Sequence, residues 1–375
     1  MSVVHLHKAT HTKDIRQVLE KVDLQINSDH VFIKPNVVIP TKPSSGVITD
    51  PALVQGLIDY LRNRGVQRIT IGESPGLLVD VEEAFRVSGF EKLSKENCIE
   101  LLDLNKVEVV ELKWPFGKLT IPRIALDAYY INVAKLKTHM NTTVTLGLKN
   151  QKGLISDNLK KLIHLEGLHQ PIVELAKAVK PDLTIIDGII GIEGDGPLLS
   201  GKKISSNVII LSNDVVAADA VACKVMGINP LDVEHLRLAH QAGIGIIDPQ
   251  IEGEDVSDVM MSFKRANETR RQIFKLTNWR NPRACSMCGD RFSTAMKQVI
   301  TTPRLVISTA PKLAYGVLFE GIDIVSGHDA TIPSKHGKIL CLGRCTRQIA
   351  EENGFVWVEG CPPLANDIVD GIRRL

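Results

Sequence analysis

Apolar and polar positions alternate in two rhythms along this chain. Short β-branched runs (Val31-Phe32-Ile33, Arg68-Ile69-Thr70-Ile71-Gly72, Tyr129 to Val133, Leu183 to Ile186) read as buried strands. Between them lie amphipathic stretches with helical spacing. The stretch from about Pro51 to Arg64 stops at Gly65, a residue free to take the left-handed conformation that ends helices. The next strand runs into the turn Glu73-Ser74-Pro75-Gly76 and another helical pattern, and the N-terminus up to Lys13 alternates like a strand. Strand–helix–strand order predicts an α/β fold, with a large parallel or mixed sheet covered by helices. In such sheets ligands bind beyond the carboxyl ends of the strands, where the polar residues after each run fall.

The pattern changes after residue 262. From Lys264 to Arg283 seven Lys and Arg face one acid, Glu268, which reads as a solvated connector helix or as a docking face for an acidic redox partner protein. Beyond it, Arg304 to Ile307, Gly337 to Leu342 and Phe355 to Val358 read as strands, and about Leu364 to Leu375 as a closing helix. Two domains are expected: residues 1–262, large and α/β, and residues 263–375, the basic connector with a smaller α/β domain.

With 375 residues, 44% of them hydrophobic, the chain can bury two cores. Its 45 Lys and Arg against 43 Asp and Glu give a net charge of +2, so anion binding must come from local clustering. Aromatics at 4% argue against base-stacking nucleic-acid binding. No apolar run approaches the roughly 20 residues of a membrane span, and no signal-like segment opens the sequence. A cytoplasmic protein with neither a nucleic-acid nor a membrane partner is expected.

Five of the seven cysteines (285, 288, 341, 345 and 361) fall in the last quarter, a concentration that points to a metal. Cys285-Ser286-Met287-Cys288 alone also suits a zinc ribbon or a redox dithiol. Cys345 follows a strand and a Gly343 turn at the start of a helix, where the helix dipole favours thiolate. Cys361 repeats the layout after Phe355–Gly360 and precedes two prolines. Two such cysteines on separate parallel strands can converge on one centre, whereas structural zinc usually takes short paired loops. Cys341 lies inside its strand and reads as a small core residue.

The second group is cationic. Between Lys135 and Lys161 there are six lysines and one acid, Asp157, interleaved with Gly, Asn, Thr and His. This reads either as a solvated loop or as an anion cradle built from lysines and amides freed by Gly147 and Gly153. On the second reading an anionic small molecule is bound by Lys34, Asn36, Lys135, Lys149, Asn150 and Glu193, with His139 and Lys137 as proton-transfer groups. No Walker loop, GxGxxG after a strand, HExxH or GxSxG occurs, so flavin or nucleotide binding has no motif to support it.

Two resemblances complete the reading. Ile33-Lys34-Pro35-Asn36, Thr49, Glu73–Gly76, Asn132–His139, Gly147–Asn150, Asp187-Gly188, Glu193–Pro197 and Ser212–Ala220 resemble, in order, the domain-of-unknown-function family 362 over about residues 30–245. Many members carry a ferredoxin-type module, whose CxxCxxCxxxCP run this chain lacks. Residues 337–375 resemble the cluster-binding fold of the small subunits of NADH:quinone oxidoreductase and nickel–iron hydrogenase. That resemblance implies a [4Fe–4S] cluster on Cys345 and Cys361, with Cys285 and Cys288 in the other two positions. The expected function is a [4Fe–4S] protein with redox activity toward the bound anion. The alternatives are a non-redox enzyme with a structural or Lewis-acid metal, zinc or cluster, and a non-enzymatic electron-transfer or cluster-delivery protein.

Overall fold

The computed structural model describes residues 2–375 apart from 78, 267–269, 274–275, 281–285, 328–329, 331 and 333–336. The fold is mixed α/β, and the chain divides into two compact units, Met1–Arg265 and Ala266–Leu375.

The strands of the large unit are β1 (Val3–Lys8), β2 (His30–Lys34), β3 (Arg68–Glu73), β4 (Glu100–Asp103), β5 (Val109–Trp114), β6 (Gly117–Pro122), β7 (Tyr129–His139), β8 (Thr143–Val144), β9 (Leu183–Glu193), β10 (Lys202–Ser212) and β11 (Gln250–Gly253). Eight of them form the order β11-β1-β10-β9-β7-β2-β3-β4, with β8 paired to the end of β7 and β5–β6 a separate hairpin. β9, β7, β2, β3 and β4 run parallel, while β10 is antiparallel to both of its neighbours. The ends of β2, β3, β7 and β9 therefore share one edge, and the residues following them meet there.

Each face of this sheet carries its own core. Along β2, Val31 and Ile33 join one apolar cluster and Phe32 the other, where its ring lies 5.4 Å from that of Tyr130. The helix Pro51–Asn63 forms as its sequence suggests. Proline occupies the first turn, the Asp50 carboxylate accepts from the Ala52 amide at 2.9 Å, and Leu53, Val54, Leu57, Ile58 and Leu61 bury one face.

Strand β7 runs six residues beyond the expected Val133, to His139. Lys135 and Lys137 look like loop residues, yet partners from neighbouring elements satisfy them inside the protein, so polarity does not end the strand.

In the small unit β12 (Arg270–Ile273), β13 (Leu276–Arg280), β14 (Ile322–Ser326), β15 (Lys338–Leu342) and β16 (Val356–Val358) pair in chain order, antiparallel at β12–β13 and parallel from β13 to β16. Two expectations are corrected here. Among the described residues of the basic connector, Arg270–Ile273 and Leu276–Arg280 are paired strands and none is helical. Arg304 to Ile307 lies in the helix Pro303–Ser308, because Pro303 in its first turn is pre-set for helical φ and outweighs the β-branched Val306-Ile307 run. Among the described residues no helix is long and apolar enough to cross a membrane.

Candidate functional site: a buried lysine web and a cysteine pair

Lys34 ends β2 and Glu73 ends β3, and their side chains meet at 2.9 Å with almost no solvent exposure. Glu73 also accepts from the amides of Val37 (3.0 Å) and Ser74 (2.9 Å), so both of its oxygens are committed. Burial pushes the Lys34 ammonium down and the Glu73 carboxyl up, and each partner opposes the other's shift. Gly153 completes the fit: a Cβ there would lie 1.8 Å from Glu73 Oε1 and 2.5 Å from Lys34 Nζ.

The web spreads from this pair through amides. Asn150 Oδ1 accepts from Lys34 Nζ (3.3 Å) and Asn36 Nδ2 (2.9 Å), while its own Nδ2 donates to Asn132 Oδ1 at 2.8 Å. Asn36 Oδ1 in turn accepts from Lys137 Nζ at 2.6 Å. On the neighbouring strand pair Lys135 Nζ donates to Asp187 Oδ2 at 2.7 Å, and that oxygen also accepts the Asp50 amide.

Four of the lysines divide into two kinds. Lys34 and Lys135 each have a buried carboxylate, so their charge is balanced within the protein. Among the described residues Lys137 has only neutral acceptors, Asn36 Oδ1 and the Val47 carbonyl at 2.7 Å. Burial, reinforced by the charge of Lys135, lowers its ammonium to about 7. Lys149 lies on the single turn Gly147–Asn150, partly exposed, and among the described residues makes no ion pair or hydrogen bond. Desolvation, with Lys137 adding to it, lowers this amine to about 7 as well.

Asp219 holds the Lys149 turn in place, its two oxygens accepting the Gly147 and Leu148 amides at 2.7 and 2.9 Å. Burial raises its carboxyl to about 7, against the lowering pull of those two amides. His139 ends β7 with Nδ1 accepting from the amides of Asn141 (3.0 Å) and Thr142 (3.3 Å), which assigns the proton of a neutral ring to Nε2. Glu193 ends β9 and accepts the Lys264 amide at 3.0 Å. Lys34, Asn36, Lys137 and Asn150 thus form one bonded web. Lys135 stands beside it on Asp187, Lys149 couples to it through charge, and His139 and Glu193 belong to adjoining strand ends.

In the small unit, β15 ends at Leu342 and Gly343 turns with φ of 90° into the 3-10 turn Arg344–Thr346. A Cβ on Gly343 would lie 3.5 Å from Cys288 Sγ, 3.5 Å from Cys345 Sγ and 3.5 Å from the Gly360 carbonyl. Two backbone hydrogen bonds lace this loop to the next strand end, from the Gly343 amide to the Val358 carbonyl at 3.0 Å and from the Arg344 amide to the Gly360 carbonyl at 2.9 Å. The loop bearing Cys361 therefore flanks the sulfur pair. Cys341 joins a different apolar cluster with Val325, Ile339 and Ala350, and burial pushes its thiol up to about 11. Cys285 lies outside the described residues. Among those described, no three His, Cys, Asp or Glu side chains already stand as a ligand set. The sulfur pair and the side-chain-free Gly343 fit a thiolate-held centre, which the flanking loops would complete.

The motifs around the lysine web lie within residues 31–224, the stretch matched by the family model described as Domain of unknown function (DUF362). The chain belongs to the DUF362 family. It is 29% identical over 225 residues to a thylakoid-associated protein of Synechocystis sp., an alignment covering 58% of this chain and 68% of that protein. A crystal structure of a Thermotoga maritima protein aligns with 62% of this chain at 12% identity and a TM-score of 0.31, and the chain spans 60% of that structure's length.

Several residues of this DUF362 web escaped the sequence reading of the site: Asp50, Asn132, Lys160 and Asp219. Asp219 had a signal, a lone acid inside the otherwise apolar helix Val215–Val225 apart from Lys224 in its last turn, where only a dedicated partner makes burial tolerable. Lys160 had none. It reaches across to the Ser74 hydroxyl and to the carbonyls of Ser74 and Pro75, and no local spacing encodes that contact.

The shifted lysine gives a direct test. At pH 7 an amine titrating at about 7 is half neutral, whereas an ordinary lysine near 10.4 is neutral in roughly one molecule in 2,500. Brief labelling with an amine-acylating reagent at pH 7, mapped by mass spectrometry, should find Lys149 modified ahead of exposed, ion-paired lysines such as Lys92 and Lys118. An unexceptional Lys149 would mean that its amine is solvated and charged.

Proposed function

We propose that this DUF362 protein is a [4Fe–4S] oxidoreductase acting on an anionic small molecule. The observation that carries the reading is the approach of Cys288 Sγ and Cys345 Sγ to one point beside Gly343, next to the loop of Cys361. Cys285, Cys288, Cys345 and Cys361 are the proposed ligands, and the bound cluster would supply single electrons.

The large unit's residues would hold the other reactant. Lys34 and Lys135 are neutralised by Glu73 and Asp187, so the anion is assigned to Lys137 and Lys149, which lack a carboxylate. A negative charge beside these amines favours their protonated form, so binding near pH 7 takes up protons. Asn36 and Asn150 fix Lys137 relative to Lys34, and Glu193 braces the end of β9. Lys137, poised near neutrality, and the Nε2–H of His139 are the proton-transfer groups in this reading. The basic segment 264–283 is the proposed dock for an acidic redox partner, and residues 267–269, 274–275 and 281–283 of it lie outside those described. The compartment we propose is the cytoplasm, on its membrane side, since the Synechocystis relative is named for its association with thylakoids.

Dithionite tests the redox half of the reading. Anaerobically purified protein should show visible absorbance that bleaches on reduction and returns on reoxidation. Colour that persists unchanged under dithionite would leave a structural metal centre instead.

A further inference from the structure

Three short helical segments of the small unit, Pro303–Ser308, Ala310–Tyr315 and Gly316–Glu320, are apolar on both sides. Their inner side is accounted for, because Leu305, Ala310, Leu313 and Val317 pack against the unit's core. The outer side is not. Ile307 is 80% exposed, Phe319 64%, Tyr315 57%, Leu318 51% and Val306 41%, and Ile300 at the end of the preceding helix is 68% exposed. The Tyr315 and Phe319 rings lie 5.3 Å apart and form one aromatic ridge. Solvent-exposed apolar groups gathered this densely mark a contact surface rather than scattered surface residues.

The charges around this face select its occupant. Residues 300–319 hold two cations, Arg304 and Lys312, and no carboxylate. Glu320, the next acid, is paired with Lys338 at 2.9 Å. A second copy docking through the same face would set cation against cation. An anionic bilayer offers opposite charge with hydrocarbon beneath it, the pairing that surface-lying amphipathic helices use. The expectation of no membrane partner rested on the lack of a spanning segment, and a surface contact needs none.

We propose that the outer face of residues 300–319 is a docking surface for an anionic lipid bilayer. Ile307, Leu318 and Phe319 enter the headgroup boundary, with Tyr315 at its polar edge and Arg304 and Lys312 on the lipid phosphates. This inference does not depend on the cluster or on the lysine web.

Vesicle flotation of the full chain tests it, comparing phosphatidylglycerol–phosphatidylcholine vesicles with pure phosphatidylcholine. The protein should float with the anionic vesicles at low salt, remain in solution with the neutral ones, and release as salt is raised. The double substitution Ile307→Glu with Phe319→Glu should weaken binding at least tenfold. Arg304→Gln and Lys312→Gln should each weaken it by about fivefold. All of these side chains are exposed, so iron content, circular dichroism and melting temperature should stay unchanged, apart from a small drop in melting temperature in Lys312→Gln, whose lysine donates to the Arg373 carbonyl. Three results would overturn the proposal: no flotation, flotation indifferent to the substitutions, or a dimer in lipid-free solution that the Ile307→Glu, Phe319→Glu variant dissociates.

Discussion

Replacing Glu73 with alanine is expected to destabilise the large unit by about 3–5 kcal/mol, because it leaves the Lys34 ammonium buried without its counter-charge. The same change removes the acceptor of the Val37 amide, while the Ser74 amide keeps the Gly153 carbonyl at 3.0 Å, which makes this the more damaging half of the pair. Gly153→Ala should approach that cost without touching either charge, since its methyl would occupy the space of the Glu73 carboxylate. Urea unfolding of the purified variants gives both values. The double change Lys34→Met with Glu73→Leu should recover the part of the loss that comes from the uncompensated charge, because a buried pair removed whole costs far less than one broken in half, while the Val37 amide stays without its acceptor. A single-variant cost below about 1 kcal/mol would mean that the pair is solvated, and the web could not hold Lys137 as described.

The second large effect concerns the cysteines. Cys345→Ser and Cys288→Ser should each abolish the proposed metal centre, because both sulfurs lie 3.5 Å from the one point beside Gly343. Cys341→Ser should keep it, at some cost in stability from placing a hydroxyl among Val325, Ile339 and Ala350. Gly343→Ala separates the roles further. Its φ of 90° strains any side chain, and the methyl would stand in ordinary contact with both sulfurs, in space a bound centre would need, so loss of metal should exceed the loss of stability. If Cys341→Ser loses the metal while Cys345→Ser keeps it, the ligand assignment is wrong.

These two sites differ in how far the sequence exposed them. The α/β architecture was legible because strands such as Val31–Ile33 and Leu183–Ile186 are continuous apolar runs whose surroundings leave little choice. Of the residues that motif spacing grouped, Lys34, Asn36, Lys137 and Asn150 share one hydrogen-bonded web, since Lys34 and Asn36 lie at the end of β2, Lys137 near the end of the parallel β7 and Asn150 on the turn packed beside them. It could not give their chemistry. Whether a lysine meets a carboxylate, an amide or water depends on contacts such as Lys34 with Glu73 and Lys135 with Asp187, which are set by strand order rather than by local sequence. The same limit explains the misread strand at Arg304–Ile307. A β-branched run in a helix that begins with proline and buries only one side looks locally like an edge strand. The exposed outer side of that helix then gave no warning, because hydrophobic pattern alone does not say what covers a face.

The central claim is tested most directly by the composition of the metal centre. Protein purified without oxygen should contain about four iron and four acid-labile sulfide per chain, and native mass spectrometry should find that mass lost in Cys345→Ser. Stoichiometric zinc without iron, or an equal metal content in Cys345→Ser, would contradict the account.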